Sequence, residues 1–311
     1  MKHILLLGAL LFFTTLHAAG PVEITGVTPL AGWKQTAPET FEIRHEGKFV
    51  AHLMAEAAIR PGTYYRIRWN SKAGKDCKTL NPHAMIQLKE TEYIDWNSSE
   101  EKAPRTLFFY SGESSTVKFS LYLPRNCSGT LLVDHLTLEQ LDDSDLQRNL
   151  FQSPDFESES SLPGEWRKSW NQKTRIATIR RTDDFLAGKQ SLSLDQANDA
   201  PKVSVNTLPL PILPGRSYTF SFWAKGEGPE KLLVVIGLPN YGKKWKHFNV
   251  RKTFLLEKNW KQYKLSVHFP AKETEYPALR KRMARISFLN EDGKPGRIVL
   301  DQLDFRPEST R

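Results

Sequence analysis

Four aromatic residues in the C-terminal half lie among basic residues, in segments with the composition of loops. Trp166 and Trp170 flank Arg-Lys-Ser, and Tyr241 and Trp245 flank Gly-Lys-Lys. Aromatic faces stack on the apolar C–H surface of sugar rings, and adjacent Lys or Arg side chains favour acidic or sulfated sugars. The same mixture also suits single-stranded nucleic acid, a ligand that a protein outside the cell would rarely meet. The four residues are therefore candidates for glycan contact, with coverage of a sheet edge as the alternative for each.

Trp223 is a fifth candidate, and it lies in a strand pattern. Tyr218, Phe220 and Phe222 occupy alternate positions, which is the period of a strand with one buried face. Because Trp223 has the opposite parity, we expect it on the outer face of the sheet or beneath a loop.

Two aspartates occupy unusual positions in segments that look like the closing strands of the two halves. Asp301 has the same parity as Val299 and Leu303, and Asp134 has the same parity as Leu136. A carboxylate in the core-facing register is costly unless a cation, an arginine or backbone N–H groups compensate it. The alternative is a strand irregularity that turns the side chain to solvent. Both interpretations stay open for Asp301, and the second is favoured for Asp134.

The chain has two cysteines, Cys77 and Cys127. In an exported protein, two cysteines that flank strands of one domain predict a disulfide. The alternative is a pair of free, buried thiols. The loop-entropy argument gives such a bridge a stabilisation of about 4 kcal/mol.

Short sequence signatures of enzymes are absent. The sequence has no Gly-x-Ser-x-Gly, phosphate-loop, Gly-x-Gly-x-x-Gly or His-Glu-x-x-His pattern. His52 and Glu56 are four residues apart, but no third metal ligand accompanies them. The sequence therefore predicts a protein that is not an enzyme, although two distant carboxylates could still meet as a glycosidase pair.

Two segments recur in the same order along the chain. Ile59–Ala73 matches Ile212–Gly226 at an offset of 153 residues, and each begins with a Pro-Gly turn before an aromatic strand. Gly129–Leu138 matches Gly296–Phe305 at an offset of 167 residues. Two matched segments at nearly constant spacing predict a duplicated domain. Evenly spread Gly, Pro and aromatic residues favour short strands and many turns.

The N-terminus has the pattern of a secretory signal peptide. Lys2 and His3 precede an apolar run over 4–13, and mostly small residues follow at 14–20. The run is too short to span a membrane, and no later segment is apolar enough to do so. We expect a secreted or periplasmic protein, divided into a signal peptide (1–19), a first domain (20–141), a linker (142–148) and a second domain (149–311).

Charge is distributed unequally between the halves. The net charge of the chain is +9, with 14 Lys and Arg against 17 Asp and Glu in residues 21–146, and 29 against 18 in residues 147–311. The second half therefore carries +11 and the first −3. A polyanionic ligand is expected to bind the second half.

The second half also contains a series of segments that resembles a known family. These are Asn149-Leu-Phe, Phe156-Glu157 before Trp166, 188–193 (GKQSLS), 213–225 (LPGRSYTFSFWAK), 260–263 (WKQY) and 298–303 (IVLDQL). The series resembles the family 4/9-type carbohydrate-binding modules, which are β-sandwich jelly rolls of the galactose-binding-like superfamily. The first half matches only in the Pro-Gly strand and the closing strand, so it resembles a diverged copy.

The resemblance implies an all-β protein of two tandem β-sandwich (jelly-roll) domains. It also implies a structural calcium ion in the second domain, with Glu157 and Asp301 as ligands. The resulting expectation is a secreted, non-catalytic protein that binds a polysaccharide or oligosaccharide, more readily an anionic one, through Trp166, Trp170, Trp223, Tyr241 and Trp245. An envelope adhesion module that binds a protein partner, and a glycosidase or polysaccharide lyase, remain the alternatives.

Overall fold

The computed structural model of the protein describes residues 21–22, 25–30, 33–37, 40–45, 51–73, 83–89, 92–96, 103–123, 129–151, 155–157, 166–168, 177–197, 202–207, 209–239 and 247–308. Cys77, Cys127, Trp170, Tyr241 and Trp245 lie outside the described residues, as does the predicted signal peptide. No helix in the described part is long and apolar enough to cross a membrane.

The N-terminal half forms two antiparallel sheets. Its strands are β1 Pro21–Val22, β2 Thr25–Leu30, β3 Trp33–Ala37, β4 Thr40–His45, β5 Ala51–Ala58, β6 Tyr64–Ala73, β7 His83–Gln87, β8 Glu92–Trp96, β9 Ala103–Tyr110, β10 Thr116–Leu123 and β11 Gly129–Leu141. One sheet has the order β3-β4-β11-β6-β9, with β1 beside β11, and the other has the order β2-β5-β10-β7-β8.

The C-terminal half repeats this arrangement. Its strands are β12 Trp166–Lys168, β13 Ala177–Thr182, β14 Ser191–Gln196, β15 Ser204–Thr207, β16 Leu210–Pro211, β17 Ser217–Glu227, β18 Lys231–Gly237, β19 Asn249–Leu255, β20 Lys261–His268, β21 Met283–Asn290 and β22 Gly296–Pro307. Its sheets have the orders β13-β14-β22-β17-β20 and β12-β15-β21-β18-β19, with β16 beside β21. A 3-10 helix spans Pro277–Lys281. The predicted fold class is therefore confirmed: the protein consists of two tandem β-sandwich domains.

The Pro-Gly turns of the two halves are fixed by the same contact. Gly62 and Gly215 adopt positive φ angles of 71° and 73°, which glycine tolerates best. The Tyr65 hydroxyl accepts a hydrogen bond from the Arg60 N–H at 2.7 Å. The Tyr218 hydroxyl accepts one from the Leu213 N–H at 2.8 Å. Each tyrosine therefore ties the turn to the strand that follows it, as the duplication predicts.

Each closing strand contains a bulge at the same place in the repeat. The register of β11 against β6 shifts between Asp134 and Thr137, and two residues of β22 lie opposite one residue of β17 after Asp301. The residues that follow the two aspartates, His135 and Gln302, have positive φ angles of 53° and 50°. An inserted residue of this kind changes which alternate positions face the core.

The bulge explains the position of Asp301. Leu303 and Phe305 contribute to the core after the bulge, and Ile298 and Leu300 contribute before it. Asp301 is fully buried, but it lies on the opposite face of the sheet. The strand irregularity therefore turns the Asp301 carboxylate away from the core, as one alternative expected. The carboxylate is nevertheless buried, because a loop covers it and its N–H groups compensate the charge, as the other alternative expected.

Asp134, by contrast, is part-exposed. Its side chain is 21% exposed and accepts a hydrogen bond from Asn70 Nδ2 at 2.9 Å. The interpretation favoured for Asp134 therefore agrees with the structure.

The predicted linker contains a helix, α1, that spans Asp143–Gln147. Asp142 and Asp145 form a reciprocal capping box, in which each carboxylate accepts the other residue's N–H at 2.9 and 3.1 Å. Leu146, Leu150 and Phe151 are buried at the junction. The two domains are thus joined by a packed segment.

The domains also contact each other directly. The Tyr64 hydroxyl of β6 donates a hydrogen bond to the Ile212 carbonyl at 2.6 Å. The Arg282 guanidinium carbon lies 4.0 Å from the centre of the Tyr110 ring, within the range of a cation–π interaction. One continuous hydrophobic cluster includes buried residues of both halves.

Candidate functional site

Trp166 and Trp223 lie in different sheets of the C-terminal domain. Trp166 begins β12, where it pairs with Thr207 of β15. Trp223 lies in β17 between Gln262 and Asp301. Trp170 follows β12 by two residues, and Tyr241 and Trp245 fall between β18 and β19. Trp166 therefore belongs to the sheet that contains β12, β18 and β19, and Trp223 belongs to the other sheet.

The face of the β12-β15-β21-β18-β19 sheet that points away from the core carries a polar row. The row crosses four strands through the paired residues Asn206, Ser287, Val235 and Arg251. The first three are half-buried and Arg251 is exposed. Directly paired residues lie on the same face of a sheet, and strands are separated by about 4.8 Å, so the row is about 14 Å long. Arg167 of β12 pairs with Asn206 and continues the register.

Two further rows belong to the same face and flank the first one. Leu233 pairs with Leu289 and with Thr253, and Gly237 pairs with Arg285 and with Asn249. The face thus combines aliphatic surface with hydroxyl, amide and guanidinium groups. This combination can hydrogen-bond the hydroxyls of a sugar and contact its C–H groups.

Trp223 has different neighbours on the outer face of its own sheet. Lys225 Nζ lies 2.7 Å from Asp184 Oδ1 and is 5.4 Å from the centre of the Trp260 ring. Arg297 lies 3.0 Å from Asp184 Oδ2 and contacts both oxygens of Glu227 at 2.8 and 3.0 Å. The hydrogen bond from Arg297 lowers the pKa of Glu227. These charged groups neutralise one another. We therefore interpret the network as a set of ion pairs that stabilises the sheet near the loop over Asp301.

The carboxylates of Glu157 and Asp301 both accept backbone N–H groups from one loop. Asp301 Oδ2 accepts hydrogen bonds from Leu186 and Ala187 at 3.0 and 3.3 Å. Glu157 Oε1 accepts them from Lys189 and Gln190 at 2.5 and 2.8 Å. The loop over 186–190 therefore connects the two predicted calcium ligands.

Burial raises the pKa of Asp301, and N–H groups of Leu186, Ala187 and Gln302 oppose that rise. The nearby Asp155 carboxylate raises the pKa further. The ionised form is therefore incompletely compensated, which a cation would correct. Each carboxylate oxygen has two lone pairs, and calcium accepts backbone carbonyl oxygens beside carboxylates. A calcium ion at these carboxylates therefore stays a prediction, and no group of three or more His, Cys, Asp or Glu side chains in the described part is placed to hold a metal.

Sequence reasoning did not single out the polar row. Asn206, Ser287 and Arg251 come from three strands that are distant in the chain, and only the pairing register places them side by side. Alternation within each strand could have assigned them to an outer face. No local signal could have shown that they form one row.

Comparison with known protein families gives a match in the C-terminal half of the chain. Residues 148–276 match a family model described as a carbohydrate binding domain, of the 4/9 type. The resemblance predicted from the sequence is therefore confirmed for the C-terminal domain. Among the curated proteins, no match to this chain is found.

Many solved structures are similar at low identity, among them the following three. The tandem CBM22-1–CBM22-2 domain of Paenibacillus barcinonensis Xyn10C is 12% identical, with 94% of each chain covered and a TM-score of 0.37. A structure described as "CBM4 structure and function" is 20% identical, covers 51% of this chain and 97% of its own, and has a TM-score of 0.36. TmCBM61 in complex with β-1,4-galactotriose is 17% identical, covers 52% and 99%, and has a TM-score of 0.33.

Proposed function

We propose that the protein is an exported, non-catalytic carbohydrate-binding protein whose C-terminal domain holds the glycan. The observation that carries the proposal is the match of residues 148–276 to a carbohydrate binding domain. The apolar run near the N-terminus supports export. The lack of short enzyme signatures in the sequence supports a binding role.

The proposed glycan surface is the outer face of the β12-β15-β21-β18-β19 sheet. Asn206, Ser287 and Arg251 supply hydrogen-bonding groups along a row about 14 Å long, given the usual strand spacing. Trp166, Trp170, Tyr241 and Trp245 belong to this sheet or to segments that adjoin it in sequence. Such aromatics would supply stacking, and polar side chains would orient the sugar.

Trp223 is the exception among the predicted ligand residues. It lies in the opposite sheet, beside Asp301 and Gln262, so one glycan on the proposed surface does not reach it. We therefore leave Trp223 outside the proposed glycan surface.

The test measures binding of short neutral and acidic oligosaccharides by the full-length protein, using calorimetric titration. Trp245→Ala and Arg251→Ala are expected to weaken binding, by about 1–3 kcal/mol for the aromatic by analogy with other stacking anchors. Trp223→Ala is the matched control, because it removes a tryptophan of the same domain from the other sheet.

Two outcomes would contradict the placement. Unchanged affinity in both variants would remove the ligand from this face. A loss of affinity confined to folded Trp223→Ala would move it to the opposite sheet. Because residues 147–311 carry +11, affinity for acidic glycans should also fall as salt screens exposed charges.

A further inference from the structure

The junction between the domains contains a cleft that is separate from the proposed glycan surface. Its volume is about 350 Å³, which lies within the range of small-ligand pockets. Arg66 and Arg68 of β6 line one side, and Arg148, which follows α1, lines the other. The cleft therefore exists only where the first domain meets the segment that enters the second.

The floor of the cleft is apolar and fixed. Phe108, Leu150 and Phe151 line it and are 5–7% exposed. Asn149 anchors this segment to β22, because its Nδ2 donates to the Leu303 carbonyl at 2.7 Å. Its Oδ1 accepts the Phe305 N–H at 3.1 Å. The wall that carries Arg148 is thus held in place by the second domain.

Arginines outnumber carboxylates among the residues that line the cleft. Arg66 Nε and Nη2 both bond Glu139 Oε2, at 3.1 and 2.6 Å. Arg68 Nη1 lies 4.0 Å from that same oxygen, so two guanidinium groups share one carboxylate. Asp145 also lines the cleft, but its Oδ2 accepts the Asp142 N–H in the capping box. Arg148 also helps to lower the pKa of the Asp142 carboxyl, which accepts the Asp145 N–H. The three arginines thus lie near three carboxylates that all have hydrogen-bond partners already.

The electrostatic consequence is visible at Arg68. Burial and the neighbouring Arg66 charge lower its pKa, and Glu139 opposes that effect. A bound anion would relieve this repulsion between like charges. Two of the three arginines, Arg66 and Arg68, come from the half of the chain (21–146) whose net charge is −3.

We propose that this junction cleft is a second binding site, for the carboxylate of an acidic sugar such as a uronic acid residue. Planar guanidinium groups match the geometry of a carboxylate, which they bind with paired hydrogen bonds. The apolar floor would contact the C–H side of the sugar ring. The proposal takes its ligand class from the proposed function but places the ligand at different residues.

The experiment titrates the full-length protein with trigalacturonate and, separately, with galactotriose, its neutral counterpart. Arg68→Gln/Arg148→Gln is expected to weaken trigalacturonate binding at least tenfold and to leave galactotriose binding unchanged. Arg68→Lys/Arg148→Lys keeps the charge but removes the planar fork, so a smaller, severalfold loss is expected. Arg216→Gln/Arg280→Gln removes two exposed arginines elsewhere and is the control for net charge, with less than a twofold change expected.

Three binding results, and one competition result, would overturn the proposal. The first is wild-type affinity for trigalacturonate in a folded Arg68→Gln/Arg148→Gln variant, and the second is an equal loss in the Arg216→Gln/Arg280→Gln control. The third is an absence of trigalacturonate binding in the wild type. If galactotriose binding that depends on Trp245 persists in that case, the proposed function stands and only the junction cleft is rejected. Inorganic sulfate serves as a competitor: displacement of trigalacturonate by millimolar sulfate would overturn the preference for a carboxylate.

Discussion

Gly188 has a conformation and an environment that only glycine tolerates. Its φ angle is +81°, and a Cβ atom at this position would collide with the carboxylate of Glu157. That carboxylate accepts the N–H groups of Lys189 and Gln190. The loop over Asp301 therefore depends on a residue without a side chain at this point.

Gly188→Ala is expected to destabilise the protein more than Gly112→Ala. Both glycines have positive φ angles, of +81° and +56°, but nothing lies within 4 Å of a Cβ at Gly112. Each substitution costs about 1–2 kcal/mol for the left-handed conformation. Gly188→Ala also displaces Glu157, which adds about 1.5–3 kcal/mol for hydrogen bonds to a charged group. Denaturant unfolding measures the difference, and equal losses in the two variants would contradict this account.

Calcium is expected to stabilise the C-terminal domain through Glu157 and Asp301. A ligand that binds only the folded state at a hundred times its Kd stabilises by about 2.7 kcal/mol. The melting temperature should therefore be higher in calcium than in chelator, and Asp301→Asn should abolish the difference. Glu227→Gln is the control, because that carboxylate bonds Arg297 instead of the loop. Identical melting curves of the wild-type protein in calcium and in chelator would exclude the ion.

At the scale of elements, the pairing of β6 with β11 is relevant to the predicted disulfide. Leu131 pairs with Ala73 at the outer end of the ladder. Cys77 lies four residues after Ala73, and Cys127 lies four residues before Leu131. The two chain segments thus extend from one strand pair by equal lengths. This symmetry supports a bridge, which requires Cα atoms about 4.4–6.8 Å apart.

We therefore expect a Cys77–Cys127 disulfide in the exported protein. Intact-mass measurement after alkylation without reductant should detect no modified thiols, and the same treatment after reduction should detect two. Reduction should lower the free energy of unfolding by about 4 kcal/mol in the loop-entropy model. Two alkylated thiols in folded, oxidised protein would disprove the bridge.

The strands of the repeat were predictable because their signals are local. The Pro-Gly turn and the alternation of Tyr218, Phe220 and Phe222 predict β17, and the same features predict β6. The face occupied by Asp301 was not predictable, because one inserted residue in β22 reverses the parity and no residue type marks it. The polar row and the junction cleft depend on pairing and docking between distant segments, which a linear pattern does not encode.

At the scale of the whole molecule, Tyr64 couples the domains through a buried hydroxyl. Burial raises the pKa of Tyr64 above its ordinary value of 10.0, although Arg282 opposes the rise. Burial also raises the pKa of Tyr218 to about 12. Because both folded pKa values are raised, the associated stability is fully present below pH 10 and is lost as the pH rises towards the folded values.

The free energy of unfolding should therefore fall above pH 10. Each tyrosine contributes up to about 1.4 kcal/mol per pH unit while it is ionised only in the unfolded state. In Tyr64→Phe, the free energy of unfolding should fall less steeply with pH. Near neutral pH, the same substitution should weaken the contact between the domains by about 0.5–1.5 kcal/mol. Tyr276→Phe, at a tyrosine whose ring contacts Phe248 of the same domain, is the control. An unchanged alkaline slope in Tyr64→Phe would show that the hydroxyl is not protected by folding.

The matched bulges of β11 and β22 also carry information about ancestry. A one-residue insertion, followed by a residue with positive φ, occurs at the same point of both closing strands. Independent acquisition of the same irregularity twice is less economical than its inheritance from a single ancestral domain. The bulge therefore predates the duplication, whereas the partners of the two aspartates differ: a side-chain amide for Asp134 and loop N–H groups for Asp301. The two domains kept the same bulge, but they differ in the groups that bond the aspartate beside it.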